Sequence, residues 1–230
     1  MILAYHRINP YYKEDVLTVN LDNFKQQINY LISKNFEFLS MEEYIELKEN
    51  LNSKVVITFD DGFSDNFYFA FEILSKFNIK PLIFLIVNYI NTDKIFSRYK
   101  DREKDRFLNW KEINEMLEYG VEFGSHTLTH PHLTQIPEEK AKEEIFISKK
   151  IIEDKIGKEV KFFCYPYGEF NEKIIEIVKM AGYKSAVVTP KKYRKIQNSI
   201  FAMKRIGIYG HNSFLIFKLK IWKEYLKEKF

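Results

Sequence analysis

At 230 residues, with 46% hydrophobic and 17% aromatic side chains, the chain has enough apolar material to fill a core of one large domain, which excludes a disordered chain. Its one cysteine, Cys164, excludes an internal disulfide framework. The formal charge is only +4, but residues 191–230 hold 11 Lys and Arg against 2 Glu, an excess of 9 by that count, without a recognition motif of the kind nucleic-acid binding requires.

In chain order, hydrophobic spacing predicts alternating strands and helices. Residues 2–6 read as a short strand, 21–34 as a helix through Phe24, Ile28 and Leu31, 36–39 as a strand and 41–51 as a helix. The β-branched run at 55–59 is a buried strand, followed by a helix at 63–77 and a strand at 81–87. Residues 91–109, with a highly charged centre, read as a long loop. A helix at 110–119 closes on Gly120, with a strand at 121–125 after it. Pro137 opens a long helix that stops at Gly157; a strand at 160–165, a helix at 171–181 and a strand at 183–189 complete the alternation. About seven β/α units without a linker predict a single-domain α/β fold, a parallel barrel, over residues 1–213, with chemistry at the C-terminal ends of its strands. Residues 214–230 form a basic amphipathic helix: Phe214, Phe217, Ile221 and Tyr225 share one stripe, with Lys218, Lys220, Lys223 and Lys227 elsewhere.

Two strand ends carry residues that a packing role does not explain. The run VVITFDDG, Val55 to Gly62, ends in Asp60 and Asp61, two neighbouring carboxylates that resist burial unless a cation pairs with them; a polar turn is the alternative. Downstream, GSHTLTHPHL, Gly124 to Leu133, places His126, His130 and His132 at positions of equal parity, so an extended segment would project all three to one face. Two imidazoles and one carboxylate make a three-ligand site for a divalent cation with a position left open, which is a catalytic arrangement.

TFDDG at Thr58 to Gly62, SHTLTH at Ser125 to His130 and YPYG at Tyr165 to Gly168 resemble, in order and spacing, the signature of the polysaccharide deacetylase group (NodB-like, carbohydrate esterase family 4). The resemblance extends from YHRI at Tyr5 to Ile8 through AGY at Ala181 to Tyr183. It implies a distorted (β/α)7-type barrel and a metal-dependent hydrolase that removes N-acetyl groups from a glycan. It further implies that Asp61, His126 and His130 bind one divalent ion, zinc first and cobalt, nickel or manganese as alternatives, and that Asp60 is the base for a metal-bound water. The backbone N–H of Tyr167 is placed at the oxyanion, and Tyr165, Pro166 and Trp110 at the substrate. Members related to poly-N-acetylglucosamine deacetylases are similar in carrying a YH dipeptide at the end of the first strand, which assigns His6 as the general acid in preference to His211. In a closed barrel the first and last strands are neighbours, so a group at the front can replace one at the end.

The chain also departs from the family pattern. Cys164 stands two residues before Pro166 where an orienting arginine is usual, and Arg205, in MKRIGI, is the candidate to approach Asp60 from the last strand instead. His132 is expected to line the cleft or to be structural, since two histidines complete the ligand set. An Fe(II) oxygenase shares the ligand types but not the α/β alternation, and a non-catalytic glycan-binding barrel would be expected to lose the base or the ligands. MILAYHRINP shows no signal-peptide pattern, so a cytoplasmic or inner-membrane-surface location is expected, with the basic C-terminus suited to peripheral contact with an anionic membrane.

Overall fold

The computed structural model describes residues 1–12, 15–47, 51–99, 105–189 and 199–229. Among them the strands are β1 (Ile2–Tyr5), β2 (Arg7–Ile8), β3 (Thr18–Val19), β4 (Glu37–Phe38), β5 (Lys54–Phe59), β6 (Leu82–Leu85), β7 (Glu122–Ser125), β8 (Phe162–Cys164), β9 (Ser185–Val188), β10 (Met203–Lys204) and β11 (Ile206–Gly207). The helices are α1 (Leu21–Ser33), α2 (Met41–Glu46), α3 (Glu72–Ser75), α4 (Trp110–Glu118), α5 (Glu138–Ile156), α6 (Glu172–Met180) and α7 (Phe214–Lys229).

Strands such as β1 (ILAY), β6 (LIFL) and β9 (SAVV) are buried at every position, which requires cover on both faces and suits a parallel sheet under helices. The main sheet runs β10-β9-β8-β7-β6-β5-β1-β11, with β4 paired to the start of β5. All of its pairings are parallel. Its two ends are consecutive in the chain: β10 pairs with β9 and β11 with β1, and only Arg205 lies between them. One short segment therefore closes the sheet, with the Arg205 N–H donating to Val188 O and Ile208 N–H to Ala4 O on the opposite side. The result is a single-domain α/β structure, a distorted (β/α)7-type barrel.

The helices begin where local chemistry directs. Asn20 and Asn171 cap α1 and α6, and Ser40 and Asn109 form capping boxes with Glu43 and Glu112 at α2 and α4. α5 follows Pro137 and ends at Gly157 in a left-handed conformation. In the centre Phe24 packs edge to face on both Tyr5 and Phe59, and Tyr5 and Phe59 meet at a tilt, with ring centroids 5.2 to 6.1 Å apart.

Three local expectations change. The helix expected from 41 to 51 ends at Glu46, because Leu47 is extended; residues 48–50 lie outside the described set. The helix expected from 63 becomes a π-helical segment, Asn66–Phe71, leading into α3. Asp61 and Gly62 are left-handed and Phe63 bridges to Phe107, so no helix can start before that turn is complete. Strands β2 and β3 pair over two residues, too short to leave a periodic signal. Within the loop expected at 91–109, Tyr99 and Phe107 join Phe63 and Ile86 in a small buried cluster, so aromatic packing anchors an otherwise polar segment. Of the segment expected at 214–230, Phe214–Lys229 is helical as α7 and residue 230 lies outside the described set; Phe217 and Ile221 are buried, with Phe214 and Phe217 edge-on to Tyr30 of α1.

Candidate active site

β5 delivers the carboxylates. The Asp60 N–H donates to Tyr5 O, which extends the β1–β5 ladder by one step, and the chain then turns through Asp61 (φ 72°) and Gly62 (φ 78°). A Cβ at Gly62 would come within 2.9 Å of Leu85 Cδ2 on β6, so both conformation and space call for glycine there. Asp60 and Asp61 are 3% and 4% exposed, and such burial of two adjacent charges demands partners.

β7 delivers the histidines, but not by strand alternation. His126 continues the strand, its N–H donating to Leu85 O, whereas Thr127 (φ 70°) and His130 (φ 62°) are left-handed and bend the chain back. The bend is held by side chains: His130 N–H donates to Thr127 Oγ1, and Glu144 of α5 accepts from the N–H groups of Leu128 and Thr129 and from Thr129 Oγ1. A loop thus brings His126 and His130 together, and His132 is carried to a different place. Asp61, Thr127, His130 and Tyr167 (φ 58°) are all left-handed, a conformation that Asp and His tolerate but that is costly for the β-branched Thr127 and the bulky Tyr167; the remaining non-glycine cases are Asn35, Ser53, Asn78 and Asn91. Strain gathered in this way at one end of a barrel marks a functional site.

Asp61 Oδ1 lies 3.6 Å from His126 Nε2 and 3.7 Å from His130 Nε2. A tetrahedral cation with bonds of about 2.1 Å sets its ligand atoms about 3.4 Å apart, so the three atoms fit one. His126 Nδ1 is 2.7 Å from Cys164 O, which assigns its proton to that nitrogen and leaves Nε2 as a lone-pair donor. His130 Nδ1 is buried without a hydrogen-bond partner among the described residues, and the ring is held by packing on Tyr167, His126 and Phe96. Burial pushes the Asp61 carboxyl up to about 7, with the Asp60 charge adding to it, as expected of a carboxylate whose counter-charge the protein does not itself supply. Burial likewise holds both imidazoles below their ordinary value, in the neutral form that ligates metals. Asp60, His126 and Cys164 also cluster, but burial pushes the thiol well up and keeps it protonated, while Asp60 is already engaged elsewhere.

That engagement is with Arg205. Its Nη1 and Nη2 each donate at 2.7 Å to one oxygen of Asp60, and they reach Thr58 Oγ1 at 2.9 Å and Cys164 Sγ at 3.1 Å. Burial alone would raise the Asp60 pKa; the Arg205 charge and hydrogen bonds, with His6 and His126, outweigh it and keep the carboxyl ionised well below the usual range. His6 Nε2 stands 3.8 Å from Asp60 Oδ2, and Nδ1 is buried without a hydrogen-bond partner among the described residues. Burial holds this imidazole at about 4 against the raising effect of Asp60. His6 also sits where its backbone carbonyl accepts from Asn66 Nδ2, so the first turn after the carboxylates grips the end of β1.

A cleft of about 300 Å³ brings together His6, Asp60, Asp61, His126, His130, Tyr165, Tyr167 and Arg205. Tyr165 contributes to its wall while being almost wholly buried, its hydroxyl donating to Phe201 O; Pro166 is buried beneath the turn. Gly168 makes that turn fit, since a Cβ there would lie 2.6 Å from Thr189 O. His132 stacks on Tyr167 at 3.8 Å, with its Nδ1 2.8 Å from Glu169, and so steadies the turn. Trp110 is not brought to the cleft: it begins α4 and packs beside Lys155 of α5. His211 is exposed and stacks on Tyr209. Arg98, Tyr209, Leu17 and Thr189 also line the cleft and were missed in the sequence. Arg98 lies in the loop expected at 91–109 and leans over Phe96 and Tyr99; no motif or spacing signals it.

The polysaccharide deacetylase family model matches residues 48–186. Among curated proteins, YxkH of Bacillus subtilis is 25% identical over 211 residues, covering 90% of this chain and 70% of that protein. The poly-β-1,6-N-acetyl-D-glucosamine N-deacetylase of Staphylococcus epidermidis is 28% identical, covering 76% of this chain and 62% of that protein. Among solved structures, a Streptococcus pyogenes deacetylase in complex with acetate has a TM-score of 0.78 at 26% identity, covering 95% of this chain and 96% of that one.

Proposed function

The chain belongs to the polysaccharide deacetylase family, and on that premise we propose that it is a metal-dependent hydrolase that removes N-acetyl groups from an N-acetylated glycan by cutting the amide C–N bond. The observation that carries this reading is the division of two neighbouring carboxylates: Asp61 faces two imidazoles, and Asp60 is clamped by Arg205 at the floor of the same cleft.

Asp61, His126 and His130 would hold one divalent cation, zinc first among the candidates. Such a cation, when bound, lowers the pKa of a water towards about 7 and polarises a carbonyl. Asp60 is the base: its carboxylate is ionised, fixed in orientation by two hydrogen bonds, and adjacent to the ligand Asp61. His6 is the group that delivers a proton to the departing amine. It is neutral at rest and stands beside Asp60, so it loads its proton from that side during turnover. Arg205 is a positioning residue that acts through Asp60 in place of the arginine usual at the position of Cys164. The Tyr167 N–H, on a turn fixed by Gly168 and by stacking with His132, is assigned to the developing oxyanion.

The name of the staphylococcal relative makes β-1,6-linked N-acetylglucosamine the first glycan to test. Acetate release from short oligomers is expected with the metal-loaded protein, to cease on chelation and to return with added zinc or cobalt. Glycan binding without release from any N-acetylated sugar, with metal bound, would overturn the reading in favour of a non-catalytic binding barrel. Peripheral contact with an anionic membrane is proposed with it, through α7.

A further inference from the structure

The apolar stripe of α7 that the sequence brings forward is consumed by the fold. Phe217 and Ile221 are buried, and Phe214 and Tyr225 pack on Tyr30 and Phe36. α7 nevertheless carries a second apolar stripe. Leu215, Leu219 and Trp222 are 62%, 54% and 59% exposed; their spacing of four and three residues places them on one face, turned away from the buried one. A helix apolar on both sides belongs in an interior or at a boundary, yet no other described element covers this face.

Charge decides what does. Lys218 and Lys223 flank the stripe in the helical projection, on opposite sides of it, and the last forty residues carry the basic excess of the whole chain. A second copy would set these lysines against their counterparts, which costs energy. An anionic lipid surface accepts the leucines and the indole at the acyl boundary and the lysines at the phosphates. Beside Trp222, moreover, the surface opens into a groove of about 380 Å³ lined mostly by Tyr30, Phe36, Ile221 and Tyr225, with Lys34 and Ser53 as its polar lining, which suits an acyl chain beside a phosphate. No helix of the described residues is long and apolar enough to cross a membrane, so the contact is one of lying on the surface. We propose that the outward face of α7 docks the barrel on an anionic lipid bilayer.

Flotation of the full chain with vesicles tests this. Binding is expected to vesicles of phosphatidylcholine and phosphatidylglycerol in equal parts, not to phosphatidylcholine alone, with a blue shift of tryptophan fluorescence that Trp222→Phe removes. Leu219→Glu should lower vesicle binding about tenfold or more, because it sets a charge in the acyl boundary. Acetate release from soluble oligomers should be unchanged, which reports an intact fold. Wild-type protein that ignores anionic vesicles, or binds both vesicle types equally, would overturn the proposal. So would a concentration-dependent dimer that Leu219→Glu dissolves, since α7 would then be a contact between copies.

Discussion

Arg205 and Asp60 meet through two parallel hydrogen bonds of 2.7 Å, from Nη1 to Oδ1 and from Nη2 to Oδ2, across the seam where β10 and β11 close the barrel. Both residues are almost completely buried, so neither charge has water to fall back on. The closure of the fold and the orientation of the Asp60 carboxylate are therefore one event. Arg205 can reach Asp60 only when β10 has paired with β9 and β11 with β1.

Arg205→Lys separates charge from geometry at this pair. The ammonium keeps the positive charge but cannot donate to both oxygens in the fixed fork. Acetate release is expected to fall about 10- to 100-fold, in keeping with the loss of one charge-assisted bond worth about 1.5–3 kcal/mol, while metal content measured by atomic emission stays at one per chain. Arg205→Met should in addition lower unfolding free energy by about 3–5 kcal/mol, because it leaves Asp60 buried without a counter-charge. A Lys variant with wild-type turnover would remove Arg205 from the positioning role.

Asp60 and Asp61 should part company on substitution. Asp61→Ala removes the carboxylate shared by the two imidazoles, and dialysed protein is expected to retain little or no metal. Asp60→Asn leaves the ligand set intact. It should bind metal at the wild-type ratio and lose at least about 100-fold in turnover, the usual scale for removing a proton-transfer group. Equal metal loss in both variants would defeat the division of roles.

For His6 the informative change is to Asn, which keeps polarity and approximate size at the end of β1. Metal content should be unaffected, and kcat should fall by about 10²- to 10⁴-fold with little change in KM. A variant that turns over normally would return the role of acid to some other group in the cleft.

Glu112 offers a pH test away from the cleft. It closes the α4 capping box, accepting from Asn109 N–H, and also accepts from Arg106 and from the Tyr68 hydroxyl. Burial would raise its pKa, but the Arg106 and Asn109 hydrogen bonds outweigh that and hold it below its ordinary 4.5. A carboxyl depressed on folding contributes stability above its unfolded pKa and loses it as pH falls through the folded value. Glu112→Gln should therefore cost about 1–3 kcal/mol in urea unfolding at neutral pH, and the gap to wild type should narrow below pH 4.5. A gap that is constant with pH would mean that the charge of Glu112 is immaterial.

Much of this was legible beforehand because the signals are local. The apolar runs of β1 and β6, and the mostly apolar ones of β5 and β9, report burial on both faces, and Gly120, Pro137 and Gly157 mark helix ends through their own backbone requirements. Asp60 with Asp61, and His126 with His130, stood out because packing did not explain them, and the structure brings ligand atoms of Asp61, His126 and His130 together. The extended geometry expected of the histidine segment does not hold, however. Strand parity does not join them; a bend through Thr127 does, held by Glu144 from another helix. The π-helical start after Asp61 and the aromatic anchor of the Tyr99 loop were invisible for the same reason, as both depend on residues brought from elsewhere.

By itself, the sequence determined the order and type of the longer strands and helices and which residue types stand at their ends, since periodicity, capping and charge are properties of neighbours along the chain. Only the tertiary structure decided which side chains face one another. Arg205 and Asp60 are 145 residues apart, Arg98 enters the cleft from a loop without a motif, and Trp222 is left outside because another stripe of the same helix is the one that packs. Such pairings are set by strand register and by how the barrel closes, which no local pattern encodes.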